Sequence, residues 1–185
     1  MLSRVVVPFD GSSFANRDLD AIVRRATVPV LLLRGFRSES SSRQLRDPVR
    51  RILVPIDESA ASRLIFDTVE TIAERGVSDI LLLRVVAPVS SSEQRSTRDL
   101  VAAADHELSG AAVELGERTQ CDVDPHVIVA KHPAPAIVDF AKQYGADLIA
   151  MTTHGRGASR LPMGSVASRV MHDTSRPLLL IRPQN

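Results

Sequence analysis

Near-continuous apolar runs recur along this chain, separated by stretches that are apolar on one helical face only. That alternation limits the fold more than any single residue does. Ile52–Ile56, Ile80–Val86, Val123–Ala130, 147–151 and Pro177–Ile181 read as strands, and Ile80–Val86 is interrupted only by Arg84. Between them, Ser59–Arg75 carries Ile65, Val69 and Ile72 on one face, and Thr97–Arg118 carries Leu100, Ala104, Leu108, Ala111 and Leu115. Pro135–Tyr144 carries Ile137, Phe140 and Ala141, and Ser165–His172 is the last helix. Gly76 and Gly145 stand where helices stop, and Ser90–Ser96 is a polar loop. Strands apolar from end to end must be covered on both faces, so the pattern predicts an α/β fold with a parallel sheet between two helical layers.

Ahead of this unit, Arg4–Phe9, Arg17–Arg25 and Val28–Leu33 predict a β-α-β fragment. Its strands echo the unit that follows. Arg4-Val-Val-Val-Pro-Phe-Asp10-Gly-Ser parallels Arg51-Ile-Leu-Val-Pro-Ile-Asp57-Glu-Ser, and Val28-Pro-Val-Leu-Leu-Leu-Arg34 parallels Arg176-Pro-Leu-Leu-Leu-Ile-Arg182. The fragment therefore looks like a unit with its middle removed. Three elements cannot bury both faces of their strands, so it is expected to pack on the main domain or a second subunit, extending a sheet edge. Residues 37–50 are rich in Ser and Arg and read as a linker, giving boundaries at 1–36, 37–50 and 51–183.

Composition excludes several classes. Aromatics are 3% of the chain with no Trp, which leaves an aliphatic core and no platform for stacking single-stranded bases. The net charge is +1, divided as +4 over residues 1–50 (nine Arg against five Asp and Glu) and −3 over the rest, so no nucleic-acid partner is expected. The lone Cys121 rules out an internal disulfide. With no signal-like leader and no membrane-length apolar run, a cytoplasmic protein without a membrane partner is expected. The five histidines are scattered without ligand spacing, and no Walker lysine, nucleophile elbow or catalytic carboxylate pair occurs. Neither a metal nor a catalytic residue is therefore assigned.

Chemistry concentrates between the strand ending at Met151 and the helix opening at Ser165. The segment Thr152-Thr-His-Gly155-Arg-Gly-Ala-Ser-Arg-Leu-Pro-Met-Gly164-Ser165 links a buried strand to a helix N-terminus through glycines. Glycine admits close approach to backbone, and first-turn N–H groups favour an anion. Ser165 suits an N-cap or a phosphate donor. Asp57 lies past another strand end, where it can cap the next helix and also face the same cleft at the switch point of the sheet. His154 suits a loop-orienting role more than an acid–base one.

These motifs, Val54-Pro55-Ile-Asp57-Glu-Ser, Gly145-Ala-Asp-Leu-Ile-Ala-Met151-Thr-Thr-His-Gly155-Arg and Gly164-Ser165-Val-Ala-Ser-Arg-Val, resemble the universal stress protein family across about residues 50–183. A shortened echo covers residues 1–36. The resemblance implies a flavodoxin-like (adenine nucleotide α-hydrolase-like) open five-stranded parallel sheet, and a homodimer formed through the last strand. Nucleotide-binding members carry Gly-x-x-Gly, nine residues, then Gly-Ser/Thr. Here Thr152 stands at the first glycine, Gly155 at the second, and Gly164-Ser165 at the pair. By the same resemblance Asp57 holds the adenine or ribose end, Val85 matches an adenine contact, and Pro55, Met151 and Val166 complete the nucleotide-binding set. Thr152 and an eight-residue spacer, 156–163, depart from the pattern.

Three functions follow as expectations. The first is a stress-response module that binds ATP or another adenine nucleotide without turnover. The second is a family member that binds no nucleotide and acts through dimerisation and protein partners. The third, an α-hydrolase-type enzyme assisted by His154, has no complete acid–base set behind it.

Overall fold

The computed structural model describes residues 5–9, 19, 22, 23, 25–34, 49–89, 96–154 and 163–183. In chain order the elements are β1 (Val5–Phe9), β2 (Val30–Arg34), β3 (Arg51–Pro55), α1 (Ala60–Arg63), α2 (Ile65–Ala73) and β4 (Asp79–Val86). There follow α3 (Thr97–Thr119), β5 (Asp122–Val129), α4 (Pro133–Gln143), β6 (Leu148–Thr152), α5 (Ser165–Asp173) and β7 (Leu178–Ile181). Leu19, Ile22, Val23 and Arg25 are helical, within the helix expected between the first two strands. The expected linker falls largely outside the described residues, as does Asp10.

The strands form one sheet in the order β1-β2-β7-β6-β3-β4-β5. From β3 onward the five-stranded part is parallel throughout and flavodoxin-like in its layering. Counted from β3, its order is 3-2-1-4-5, a doubly wound order with the reversal between β3 and β6. The sheet is wider than five strands because β2 joins it antiparallel on the outer edge of β7, and β1 lies parallel beyond β2. The N-terminal strands thus extend a sheet edge, and the edge is that of the last strand. A homodimer through a free last strand, as the resemblance implied, finds that edge already taken.

Aliphatic side chains fill both layers. On one face Ile65, Phe66 and Val69 of α2 and Leu108, Ala111 and Leu115 of α3 pack on Ile52, Val54, Ile80, Leu82, Leu148 and Leu179. On the other, Ile137 and Phe140 of α4 and Ala167, Val170 and Met171 of α5 pack on Leu53, Leu81, Leu83, Ile149, Leu178 and Leu180, joined by Leu19, Val23, Val30 and Leu32. Consecutive residues of β3 and β7 alternate between these layers, as the two-residue period of a strand requires.

Local signals end the elements. Gly76 and Gly145 have φ of +97° and +65°, the left-handed region that costs glycine least. Gln120 closes α3 in the same region at φ 55° without glycine's freedom, an ending no residue pattern announced. The helix expected over Ser59–Arg75 is instead two pieces. Ser59 caps α1 through the Ser62 N–H, and Leu64, itself in right-handed helical conformation, separates α1 from α2.

The start of β3 is pinned to the start of β6 by one carboxylate. Asp147 Oδ2 accepts the N–H groups of Arg50 and Arg51 at 3.0 and 2.9 Å, and the Asp147 N–H donates to the Arg51 carbonyl at 2.9 Å. Replacing Asp147 with Ala should lower unfolding free energy by about 1.5–3 kcal/mol, the range for hydrogen bonds to charged groups, as read by urea denaturation.

Candidate functional site

The ladder between β3 and β6 is short. Ile52 pairs with Leu148 and Leu53 with Ile149, whereas β3 follows β4 for all five of its residues. Past Leu53 and Ile149 the two strands part. Pro55 has no N–H to offer, and the Ile56 N–H donates to the Leu83 carbonyl at 2.9 Å, so β3 leaves the sheet leaning on β4. A crevice outside the carboxyl ends at this point is the general consequence of a strand-order reversal.

A cavity of about 440 Å³ occupies that crevice. This lies within the range of about 300–1,000 Å³ found for small-molecule sites. Pro55, Asp57, Val85, Met151, Thr152, Gly164, Ser165 and Val166 all line it, so the described residues of the nucleotide-binding set implied by the resemblance meet in one place, whereas His154 is not part of the lining. Gly155 lies outside the described residues, as do Arg156 and Arg160.

On one wall, Asp57 shapes the loop after β3. Its Oδ1 accepts the Ser59 N–H at 2.9 Å and the Ser59 hydroxyl, while the Ser62 hydroxyl donates to the Asp57 carbonyl at 3.0 Å. The N-cap of α1 is Ser59, whose hydroxyl accepts the Ser62 N–H. Asp57 therefore positions the capping residue instead of capping the helix itself.

Elsewhere in the lining, α5 begins. Gly164 is its N-cap, in extended conformation and with no side chain to satisfy the helix start; Ser165 is the first helical residue, not the cap. The first helical acceptor, the Gly164 carbonyl, receives the Ser168 N–H at 3.0 Å. The N–H groups of Ser165, Val166 and Ala167 precede that bond, and all three residues line the cavity. An uncapped helix start beside a cavity concentrates donors and partial positive charge.

Gly164 also answers to packing. Its N–H donates to the Thr153 carbonyl at 2.7 Å, and a Cβ placed on it would lie 3.1 Å from the same oxygen. Its φ of −66° suits any residue, so what disfavours a side chain here is the close approach of α5 to the end of β6, which would have to give by a few tenths of an ångström. That end is held from within. The buried Thr152 donates its hydroxyl to the His154 carbonyl at 2.7 Å, and the Thr153 hydroxyl lies 2.9 Å from His154 Nδ1. The branched residue at the first glycine position thus has its polar atom committed to the turn, and His154 takes part in the hydrogen bonds that orient it.

Arg84 was visible in the sequence only as an interruption of an apolar strand. Its side chain is 7% exposed and forms ion pairs with Glu58 and with Glu107, the latter at 3.4 Å. Arg84 and Glu58 both line the cavity, and the pair of contacts ties the loop after β3 to α3. A lone charge in a strand otherwise buried on both faces must find counter-charges, and this was the signal available. Among the described residues no group of three His, Cys, Asp or Glu side chains is arranged to hold a metal ion, and no helix is long and apolar enough to cross a membrane.

The model of the universal stress protein family matches residues 48–182, and the chain belongs to that family. The match begins at residue 48, so the reading of residues 1–36 as a truncated copy of the domain is not borne out. A universal stress protein of Mycolicibacterium smegmatis is 27% identical over 175 residues, covering 89% of this chain and 54% of that protein. The chain therefore spans about half the length of that curated relative. Among solved structures, a universal stress protein from Archaeoglobus fulgidus DSM 4304 aligns over 97% of this chain and 60% of its own, at a TM-score of 0.63 and 19% identity. Another from Archaeoglobus fulgidus, in complex with dAMP, covers 73% of this chain and 99% of its own, at 0.55 and 22%. A universal stress protein in complex with cAMP covers 74% and 98%, at 0.57 and 19%. At these identities the likeness is one of fold.

Arg84 supplies a test of how the cavity wall is held. Glu58→Gln with Glu107→Gln leaves the buried guanidinium without the two counter-charges it has among the described residues. The double variant should lose about 1.5–3 kcal/mol of stability in urea denaturation, since both carboxylates are about half exposed, and each single variant distinctly less.

Proposed function

We propose that this protein is a stress-response module whose cleft binds an adenine nucleotide, ATP or a relative of it, without turning it over. The observation that carries this reading is the meeting of Asp57 and the uncapped start of α5 in the lining of one cavity. In this reading Pro55, Val85 and Met151 offer apolar surface to the base, and Asp57 faces the ribose. The N–H groups of Ser165 and Val166, with Gly164 keeping the approach open, receive a phosphate. The family relatives solved with dAMP and with cAMP support the ligand class.

Titration calorimetry with adenosine, AMP, cAMP and ATP tests it. The nucleotides should bind and adenosine should bind much more weakly, because the helix start recognises charge. Ser165→Pro deletes one N–H and the hydroxyl at the helix position that tolerates proline best, next to an extended Gly164. AMP affinity should fall about 10- to 150-fold, the equivalent of one charged hydrogen bond of about 1.5–3 kcal/mol, with the melting temperature nearly unchanged. No heat and no thermal shift at millimolar nucleotide would defeat the proposal.

A second reading has one observation in its favour. Thr152 fills the first glycine position and spends its hydroxyl on the loop. If that side chain bars the phosphate, the natural chain works through protein partners alone. Thr152→Gly, together with one residue added within 156–163, should then create AMP binding that the natural chain lacks.

A further inference from the structure

Arg84 stands where the packing asks for an apolar residue. Ile80 and Leu82, before it on β4, enter the layer beneath α2 and α3, and the two-residue period of a strand puts position 84 on the same face. Apolar side chains of similar size often replace a buried ion pair at no loss of stability, so stability alone does not call for arginine here. What its guanidinium reaches is the loop after β3. That loop is compact in itself: Asp57 Oδ1 accepts from Ser59, and the Ser62 hydroxyl lies 3.0 Å from the Asp57 carbonyl and 2.8 Å from that of Ser59. These bonds shape the loop without fastening it to the sheet. Two contacts with β4 do that, on either side of Asp57: the Ile56 N–H on the Leu83 carbonyl, and the Glu58 carboxylate on the neighbouring Arg84. Glu107 of α3 holds the same guanidinium at 3.4 Å.

We infer that Arg84 is a positioning residue for the nucleoside side of the cleft, an inference that rests on the nucleotide reading proposed above. Through Glu58 it sets where Asp57 stands relative to Val85, the next residue of β4. The apolar surface offered to the base and the carboxylate facing the ribose are thereby referred to one strand. A loop held at Ile56 alone keeps its internal bonds but swings about a single point, and binding must then order it. A forked guanidinium suits the role because it meets two carboxylates at once, one on the loop and one on a helix.

Calorimetric titration of AMP and ATP into the full chain and its variants tests the inference. Glu58→Ala is decisive, because it takes a negative charge out of the lining of a cleft that receives an anion. If Arg84 worked by touching the ligand, or if local charge alone counted, this variant would bind AMP more tightly. Positioning predicts the reverse: affinity falls about 5- to 10-fold, by the same factor for AMP and ATP, which share the nucleoside. Arg84→Met should show the same loss with the melting temperature little changed, and the double variant no more than either alone. Arg84→Lys, which keeps the charge without the fork, should recover part of it. In an Asp57→Ala chain, Glu58→Ala should change affinity little. Unchanged or tighter AMP binding by Glu58→Ala overturns the inference and leaves the nucleotide reading standing, as do additive losses or a loss that differs between AMP and ATP. A natural chain that binds neither nucleotide overturns both. Should Arg84→Met fail to fold, Glu58→Ala carries the test, since its position is half exposed and Arg84 keeps Glu107.

Discussion

Strand β3 is hydrogen-bonded on both sides to parallel strands whose helices depart to opposite faces of the sheet, and the rest of the molecule follows from that placement. The sheet needs two apolar layers because its strands are buried twice over. It opens a crevice at the reversal because β3 and β6 share only two residue pairs before they part. Asp147 closes the lower end of the same junction by gathering the N–H groups of Arg50 and Arg51. Tight below and parted above, the junction sets the direction of the cavity.

Much of this was legible from residues. The strands around Ile52–Ile56, Ile80–Val86, Met151 and Ile181 have no alternative to a doubly covered sheet, since such apolar runs have no polar face to give to water; β5 at the edge, with Asp122, Asp124 and His126, is covered only in part. The cleft was legible for a related reason: Asp57 and Thr152 each follow such a strand directly, and the carboxyl ends of parallel strands share one edge of the sheet, where a reversal of strand order opens a crevice. Gly76 and Gly145 marked chain reversals because few other residues enter the left-handed region cheaply.

Other features depend on contacts that a linear pattern does not carry. The direction of β2 is one: a short apolar strand pairs equally well in either sense until its neighbour is known. The separation of α1 from α2 at Leu64 is another: Leu64 keeps helical torsion angles, and no residue pattern marks the step between the two pieces. Gly164 is the most instructive. Its spacing suggested room for a ligand, yet its Cβ position lies tight against the Thr153 carbonyl, so packing also favours glycine there. Arg84 was hidden in the opposite way, as a charge whose partners, Glu58 and Glu107, are far from it in sequence.

The cavity is walled from both apolar layers at once. Ile56 belongs to the layer beneath α2 and α3, and Met151, Ile137 and Ala167 to the layer beneath α4 and α5. Whatever fills it touches two halves of the molecule that the sheet otherwise keeps apart, and it is lost when either half comes undone. Occupancy is thereby linked to survival of the whole fold: an occupant at a hundred times its dissociation constant adds about 2.7 kcal/mol against unfolding. If the cleft takes the ligand proposed for it, then in a cell that clears unfolded chains the standing amount of this protein would rise and fall with the supply of that ligand, with no change in synthesis.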